Sequence, residues 1–160
     1  MDVTEFHPHS PLSIDEVYPG LFITDMDTAM NLEALEDHKI EAVLCVTNTA
    51  CPEPVLDLYE VSGIRYFYIP MVDSEDFDIR FYFEITNKII DRTIAHNVLV
   101  HCGAGISRAP TVVCAWLLAS GAADSADDAI AMIRPYRRIE PNLGFYKQLQ
   151  DYELELAAPE

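Results

Sequence analysis

The chain has 160 residues, half of them apolar, with 27 acidic against 10 basic side chains and a formal net charge of −17. That length suits one domain around a single layered core. The negative charge argues against RNA, DNA or an anionic membrane as partner, and no apolar run reaches the ~20 residues needed to cross a bilayer.

Residues 1–14 begin Met1-Asp-Val-Thr-Glu-Phe-His-Pro-His-Ser, with no basic n-region and no apolar h-region. They are expected to be a tail rather than a secretory signal, and His7 and His9 are read as polar tail residues rather than metal ligands. A catalytic domain is expected over 15–156. Residues 28–38 have helical character. Residues 42–47, 64–70 and 98–101 are short β-branched or aromatic runs, two of them apolar on both faces as central parallel strands tend to be. Over 79–95, Ile79, Tyr82, Phe83, Ile89, Ile90 and Ile94 share one helical face. Residues 109–120 are apolar almost all round and predict a buried central helix ended by Gly121. Ser125-Ala-Asp-Asp128 has the form of a capping box, opening a helix that Pro135 stops. Phe145, Leu149, Tyr152 and Leu156 stripe a last helix, and 157–160 read as a tail. The alternation predicts an α/β fold: a central, mostly parallel twisted sheet flanked by helices, with the ligand at the carboxyl ends of the strands.

The chemistry is concentrated in residues 101 to 108, His-Cys-Gly-Ala-Gly-Ile-Ser-Arg, which follow Asn97-Val-Leu-Val100. A cysteine at the end of a buried strand and an arginine opening a helix enclose a loop with two glycines and no bulky charge. Backbone N–H groups there can turn inward, with a helix N-terminus behind them and a guanidinium beside them. That is a cradle for an anion, and a phosphate matches it best. The thiol of Cys102 is a nucleophile, and the surrounding dipoles favour its thiolate. Other motifs fail on spacing. A dinucleotide fingerprint would need glycine where Arg108 stands, and no Gly-Lys-Ser/Thr follows. A serine hydrolase elbow needs a later histidine, and none occurs after His101.

These residues resemble the cysteine-based protein phosphatases, specifically the small dual-specificity type with its His-Cys-x5-Arg signature. The resemblance covers roughly residues 15 to 156. Val17-Tyr-Pro-Gly-Leu-Phe-Ile looks like the family's opening strand, and Ile40-Glu-Ala-Val-Leu-Cys-Val-Thr like its first buried parallel strand. Arg65-Tyr-Phe-Tyr-Ile-Pro-Met-Val-Asp73, with Phe81-Tyr-Phe83, looks like its general-acid loop and the following helix. Pro141-Asn-Leu-Gly-Phe145 looks like the start of its last helix.

The resemblance implies a phosphoprotein phosphatase acting on phosphotyrosine and phosphoserine or phosphothreonine. Cys102 would be the nucleophile, Arg108 the grip on the transferring group and Asp73 the general acid. Gly103, Ala104, Gly105, Ile106 and Ser107 would supply the phosphate loop. Glu75, Asp76 and Asp78 compete with Asp73 for the acid's role. His101 would support the loop, and Asn142 would brace a loop near the site or cap the last helix. Arg137 matches a substrate-phosphate contact in some relatives and is a candidate second anion subsite; the other reading of Arg134, Arg137 and Arg138 is charge complementing a helix C-terminus.

One position departs from the pattern. The family usually carries Ser or Thr directly after the signature arginine, where a hydroxyl supports the thiolate, and here that position is Ala109. The expectation is an active but slow enzyme whose intermediate breaks down sluggishly. The alternative is a phosphate-binding scaffold of the same fold held nearly quiet. The loop carries no Lys or Arg among 103–107, which favours phosphoprotein over phosphoinositide substrates. Cys45, Cys51, Cys102 and Cys114 show no C-x2-C spacing, so no metal or cofactor is expected and reduced thiols are. A cytoplasmic or nuclear location follows as an expectation.

Overall fold

The computed structural model describes residues 12–159; His7 and His9 lie outside them. Its five-stranded sheet has the order β1-β2-β5-β3-β4. Strands β1 (Ile14–Tyr18) and β2 (Leu21–Thr24) form an antiparallel hairpin. Strands β3 (Ala42–Cys45), β4 (Arg65–Tyr68) and β5 (Val98–His101) are parallel, and β5 also pairs in parallel with β2. The expected single opening strand from Val17 is thus two strands. Pro19-Gly20 reverses the chain, Gly20 sits at φ 82°, and a Cβ there would lie 2.2 Å from the Ile94 carbonyl oxygen.

Alternation along the central strands explains why they read as apolar throughout. Leu21 and Ile23, Ala42 and Leu44, and Val98 and Val100 face the larger core. Phe22, Val43 and Leu99 face a smaller one on the other side. Each strand therefore removes both faces from water.

Helices α1 (Met26–Ala29), α2 (Leu32–Asp37) and α3 (Glu53–Val61) accompany the smaller core through Leu35 and Tyr59. The helix expected over 28–38 is broken at Asn31, whose side chain accepts the Ala34 N–H and caps α2 afresh. Helix α3 has no counterpart in the sequence reading. Tyr59 is its one fully buried residue, while Leu58 and Val61 are exposed, so its apolar residues mark no face.

The larger core is built on α4 (Phe83–Thr93), α5 (Arg108–Ala119), α6 (Ala126–Ile133) and α7 (Leu143–Ala157). Ile79, Phe83 and Ile90 of the predicted stripe are buried, and a 3-10 turn on each side of α4 completes the expected span. Helix α5 is buried from Ala109 to Leu118 and packs against α4, α6 and α7. The Ser125 hydroxyl accepts the Asp128 N–H, but the reciprocal bond from Asp128 goes to the Asp124 N–H, one residue earlier than a standard capping box. Strand β1 and helix α7 reach one residue beyond each expected domain limit. This frame places β5 at the centre of the sheet and aims its carboxyl end at the N-terminus of α5.

Candidate active site

Cys102 leaves the end of β5 and is nearly fully buried. The Ala109 N–H, in the first turn of α5, donates to its Sγ at 3.4 Å. The helix thus presents its positive end to the sulfur. Between them, the N–H groups of residues 103 to 107 donate to no group among the described residues. Five backbone donors beside a buried thiol form the unpaired set that a tetrahedral anion completes.

Of the two glycines in the loop, Gly105 is the one its surroundings require. Gly105 has φ 71°, and a Cβ there would stand 2.5 Å from Arg137 Nη2 and 2.6 Å from the Thr24 carbonyl oxygen. A Cβ on Gly103 would stand 3.0 Å from Arg108 Nη2, so its absence leaves the guanidinium room to lie over the loop. The carbonyls face away to structural partners: Gly103 O accepts from the Met26 N–H and Ile106 O from the Glu140 N–H.

Arg108 is held from the side of the acid loop. Its Nη1 donates to the Met71 carbonyl at 3.1 Å and approaches Asn48 Oδ1 at 3.5 Å, while its Nε is buried with no partner among the described residues. A buried donor left unpaired costs about 1–3 kcal/mol. An oxyanion in the loop would relieve that cost, and a planar fork binds two of its oxygens at once.

Asp73 follows β4 in an exposed turn, yet it is fastened to the phosphate loop. Its Oδ1 accepts from Ser107 Oγ at 2.9 Å and from Asn142 Nδ2 at 2.9 Å. Asn142 also caps α7, its Oδ1 accepting the Phe145 N–H at 2.8 Å, and its own N–H donates to Ser107 Oγ at 3.0 Å. Both readings of Asn142 therefore hold at once. The competing carboxylates have local duties: Asp76 accepts from Ser74 Oγ and Asp78 from the Phe81 N–H. Glu75 matters through its backbone, which rests on Gly144, where a Cβ would lie 1.9 Å from the Glu75 carbonyl oxygen. Gly144 thus lets the acid loop close against α7.

The hydroxyls nearest Ala109 are spent elsewhere. Ser107 Oγ serves Asp73, and Thr111 Oγ1 donates to the Ser107 carbonyl at 2.7 Å. Neither replaces the side-chain hydroxyl that Ala109 lacks.

Arg137 requires a correction. It was a candidate second anion subsite, but it is buried and turned inward. Its Nη1 forms an ion pair with Asp15 Oδ2 at 2.8 Å and also meets Ser13, while Nε donates to Gly105 O at 2.8 Å and Nη2 to Ala104 O at 3.2 Å. It braces the outer carbonyls of the phosphate loop against β1. Arg134 bonds the Ile139 carbonyl and pairs with Glu140. No local sequence signal pointed to Ser13 or Asp15, which lie more than a hundred residues from their partner.

His101 is fully buried. Its Nδ1 lies 3.4 Å from the Cys102 carbonyl oxygen, and its Nε2 lies 3.9 Å from Cys51 Sγ. Linear spacing gave no hint that Cys45 and Cys51 would meet there. Cys45 Sγ and Cys51 Sγ lie within 4.8 Å of each other, and their interaction holds the Cys45 thiol below its ordinary range and pushes the Cys51 thiol up.

A family model described as the catalytic domain of dual specificity phosphatases matches residues 21–155. Dual specificity protein phosphatase 26 of Homo sapiens is 36% identical over 141 residues, covering 84% of this chain and 64% of the relative. Dual specificity protein phosphatase 22 of Mus musculus is 33% identical over 144 residues, covering 88% of this chain and 73% of the relative. The chain thus spans just under two thirds of the length of the first of these. The crystal structure of human DUSP28 superposes with a TM-score of 0.81 at 26% identity, covering 93% of this chain and 98% of that one.

Proposed function

This chain belongs to the dual-specificity phosphatase family, and we propose that it hydrolyses phosphate monoesters on proteins, phosphotyrosine and phosphoserine or phosphothreonine alike, through a cysteinyl-phosphate. The observation that carries this reading is the shared loop. Cys102, the loop N–H groups of 103 to 107 and the Arg108 Nε, none of them paired among the described residues, and the Ser107-tethered Asp73 come together on one loop.

The Cys102 thiolate attacks phosphorus, forming the S–P bond as the ester P–O bond breaks. Asp73, protonated at this stage, gives its proton to the leaving alkoxide or phenoxide, and Ser107 and Asn142 hold its Oδ1 while Oδ2 remains for the transfer. Arg108 and the loop N–H groups stabilise the equatorial oxygens as the phosphoryl group flattens. Asp73, now a carboxylate, takes a proton from water; the hydroxide attacks phosphorus, the S–P bond breaks and phosphate departs, restoring the thiolate.

Loop residues 103–107 carry no basic side chain and the chain has a net charge of −17, both of which favour phosphoprotein over phosphoinositide substrates. Four free cysteines suit a reducing compartment, and we place the protein in the cytoplasm or nucleus on that ground. Ala109 is the one feature that favours a nearly quiet phosphate-binding scaffold instead.

Hydrolysis of para-nitrophenyl phosphate by the wild type and by Cys102→Ser separates the two. Loss of turnover in the variant is expected, and equal rates would end the enzyme reading. An Asp73→Asn variant that kept the wild-type rate on a phosphotyrosine peptide would remove the acid assignment alone.

A further inference from the structure

A second group of reactive side chains lies at the end of β3 and takes no part in phosphoryl transfer. Cys45 and His101 are register partners on β3 and β5, and Cys51 returns to them from the loop at 46–52. All three are buried, and Cys45 Sγ, Cys51 Sγ and a His101 ring nitrogen lie within 4.8 Å of one another. The phosphatase reaction uses neither Cys45 nor Cys51, and apolar side chains would fill the same volume without exposing the core to thiol chemistry.

We propose that Cys45, Cys51 and His101 form a binding site for a zinc ion. Thiolate sulfur and imidazole nitrogen are the donors that zinc takes in structural sites, at about 2.3 Å and 2.0–2.1 Å. Those bonds across a tetrahedral angle separate sulfur from nitrogen by roughly 3.6 Å, close to the 3.9 Å found between Cys51 Sγ and His101 Nε2. Small side-chain movements therefore complete the site.

The histidine ring is oriented for the role. A ligating imidazole commonly donates its second N–H to a carbonyl, and His101 Nδ1 faces the Cys102 carbonyl at 3.4 Å while Nε2 faces Cys51 Sγ at 3.9 Å. Charge selects the metal. Two thiolates and a neutral imidazole sum to −2, which a divalent ion cancels; a monovalent copper ion would leave a net charge in the core. Both sulfurs bind as thiolates, and a thiol proton still held by the pair is released as its Zn–S bond forms.

The ion would fasten the 46–52 loop to the residue that precedes the nucleophile. That loop carries Asn48, which meets Arg108, so the metal would steady the phosphate loop without touching substrate. The inference does not depend on the phosphatase reading, since the three donors stand outside the reacting group.

The test uses the full chain carrying Cys102→Ser, so that the catalytic thiol cannot bind metal. Titration with Co2+ as a spectroscopic probe is expected to give a thiolate-to-cobalt charge-transfer band that saturates at one ion per chain and is abolished by one equivalent of Zn2+. No such band, in reduced protein, overturns the proposal. X-ray absorption of the Zn2+-loaded protein is expected to show two sulfur neighbours and at least one imidazole, with no further substitution needed; a shell of oxygen and nitrogen alone also overturns it. Adding Cys51→Ser should weaken binding at least tenfold, and unchanged affinity would place the metal elsewhere.

Discussion

Ser107 Oγ donates to Asp73 Oδ1 at 2.9 Å and accepts the Asn142 N–H at 3.0 Å, so one hydroxyl joins the phosphate loop, the acid loop and the start of α7. Cys102 and Asp73, the proposed nucleophile and acid, come from segments about thirty residues apart, and this hydroxyl ties those segments together. Ser107→Ala removes a hydrogen bond to a charged group, worth about 1.5–3 kcal/mol, or roughly tenfold or more in rate if the full value is expressed in the transition state. The expected loss is about tenfold in kcat on phosphotyrosine peptides, whose leaving group needs the proton. On an aryl phosphate with a strongly acidic phenol the rate should hardly change. Equal losses on both substrates would show that the hydroxyl does not act through Asp73.

Ala109 lies against the sulfur and offers it only a backbone N–H. Ala109→Ser adds a hydroxyl donor to the departing thiolate, and the same ~1.5–3 kcal/mol predicts phosphoenzyme hydrolysis at least about tenfold faster. Rapid-mixing measurements should show a nitrophenolate burst and slow steady state in the wild type, and a smaller burst with faster turnover in the variant. A wild type without a burst, together with no gain in Ala109→Ser, would reject a slow second step.

Arg137 is ion-paired with Asp15 and bonded to two phosphate-loop carbonyls while almost fully buried. Arg137→Ala strands a carboxylate and those carbonyls; because the Asp15 side chain is 35% exposed, the cost falls to the lower end of the about 3–5 kcal/mol of a fully buried pair. In a domain of this size about 3 kcal/mol lowers Tm by roughly 6–12 °C. Arg137→Lys should recover little, because an ammonium cannot span carboxylate and carbonyls as the guanidinium fork does. A second anion subsite would behave differently: Tm would hold, and only KM for doubly phosphorylated peptides would rise.

Burial pushes the Cys114 thiol up to about 12. The unfolded thiol ionises near pH ~8.5, so above that pH the folded state binds the extra proton. The contribution is complete below pH ~8.5 and is lost as pH rises toward 12, at up to about 1.4 kcal/mol per unit. Cys51, Tyr59 and Tyr66 are shifted in the same direction. Urea unfolding at pH 8 and pH 10.5 should therefore show a smaller alkaline loss in Cys114→Ala than in the wild type. Identical losses would contradict a buried, neutral Cys114.

The sheet, the central helix and the phosphate loop were legible in the linear chain. Short strands apolar on both faces, the all-apolar run after Arg108, and Cys102 and Arg108 bracketing a glycine loop are local patterns, and local patterns survive in one dimension. Asn142 and the proposed acid Asp73 entered through resemblance. Helix α3 escaped because its exposed Leu58 and Val61 obscure any face, and the Pro19-Gly20 reversal was hidden inside an apolar run. Contacts between distant segments emerged only with folding: Asp15 with Arg137, Ser107 with Asp73, and Cys45 and Cys51 with His101. Spacing along the chain carries no information about such pairs. Sheet register and helix docking fix the distances, and in Arg137 that turned an apparent ligand contact into a brace.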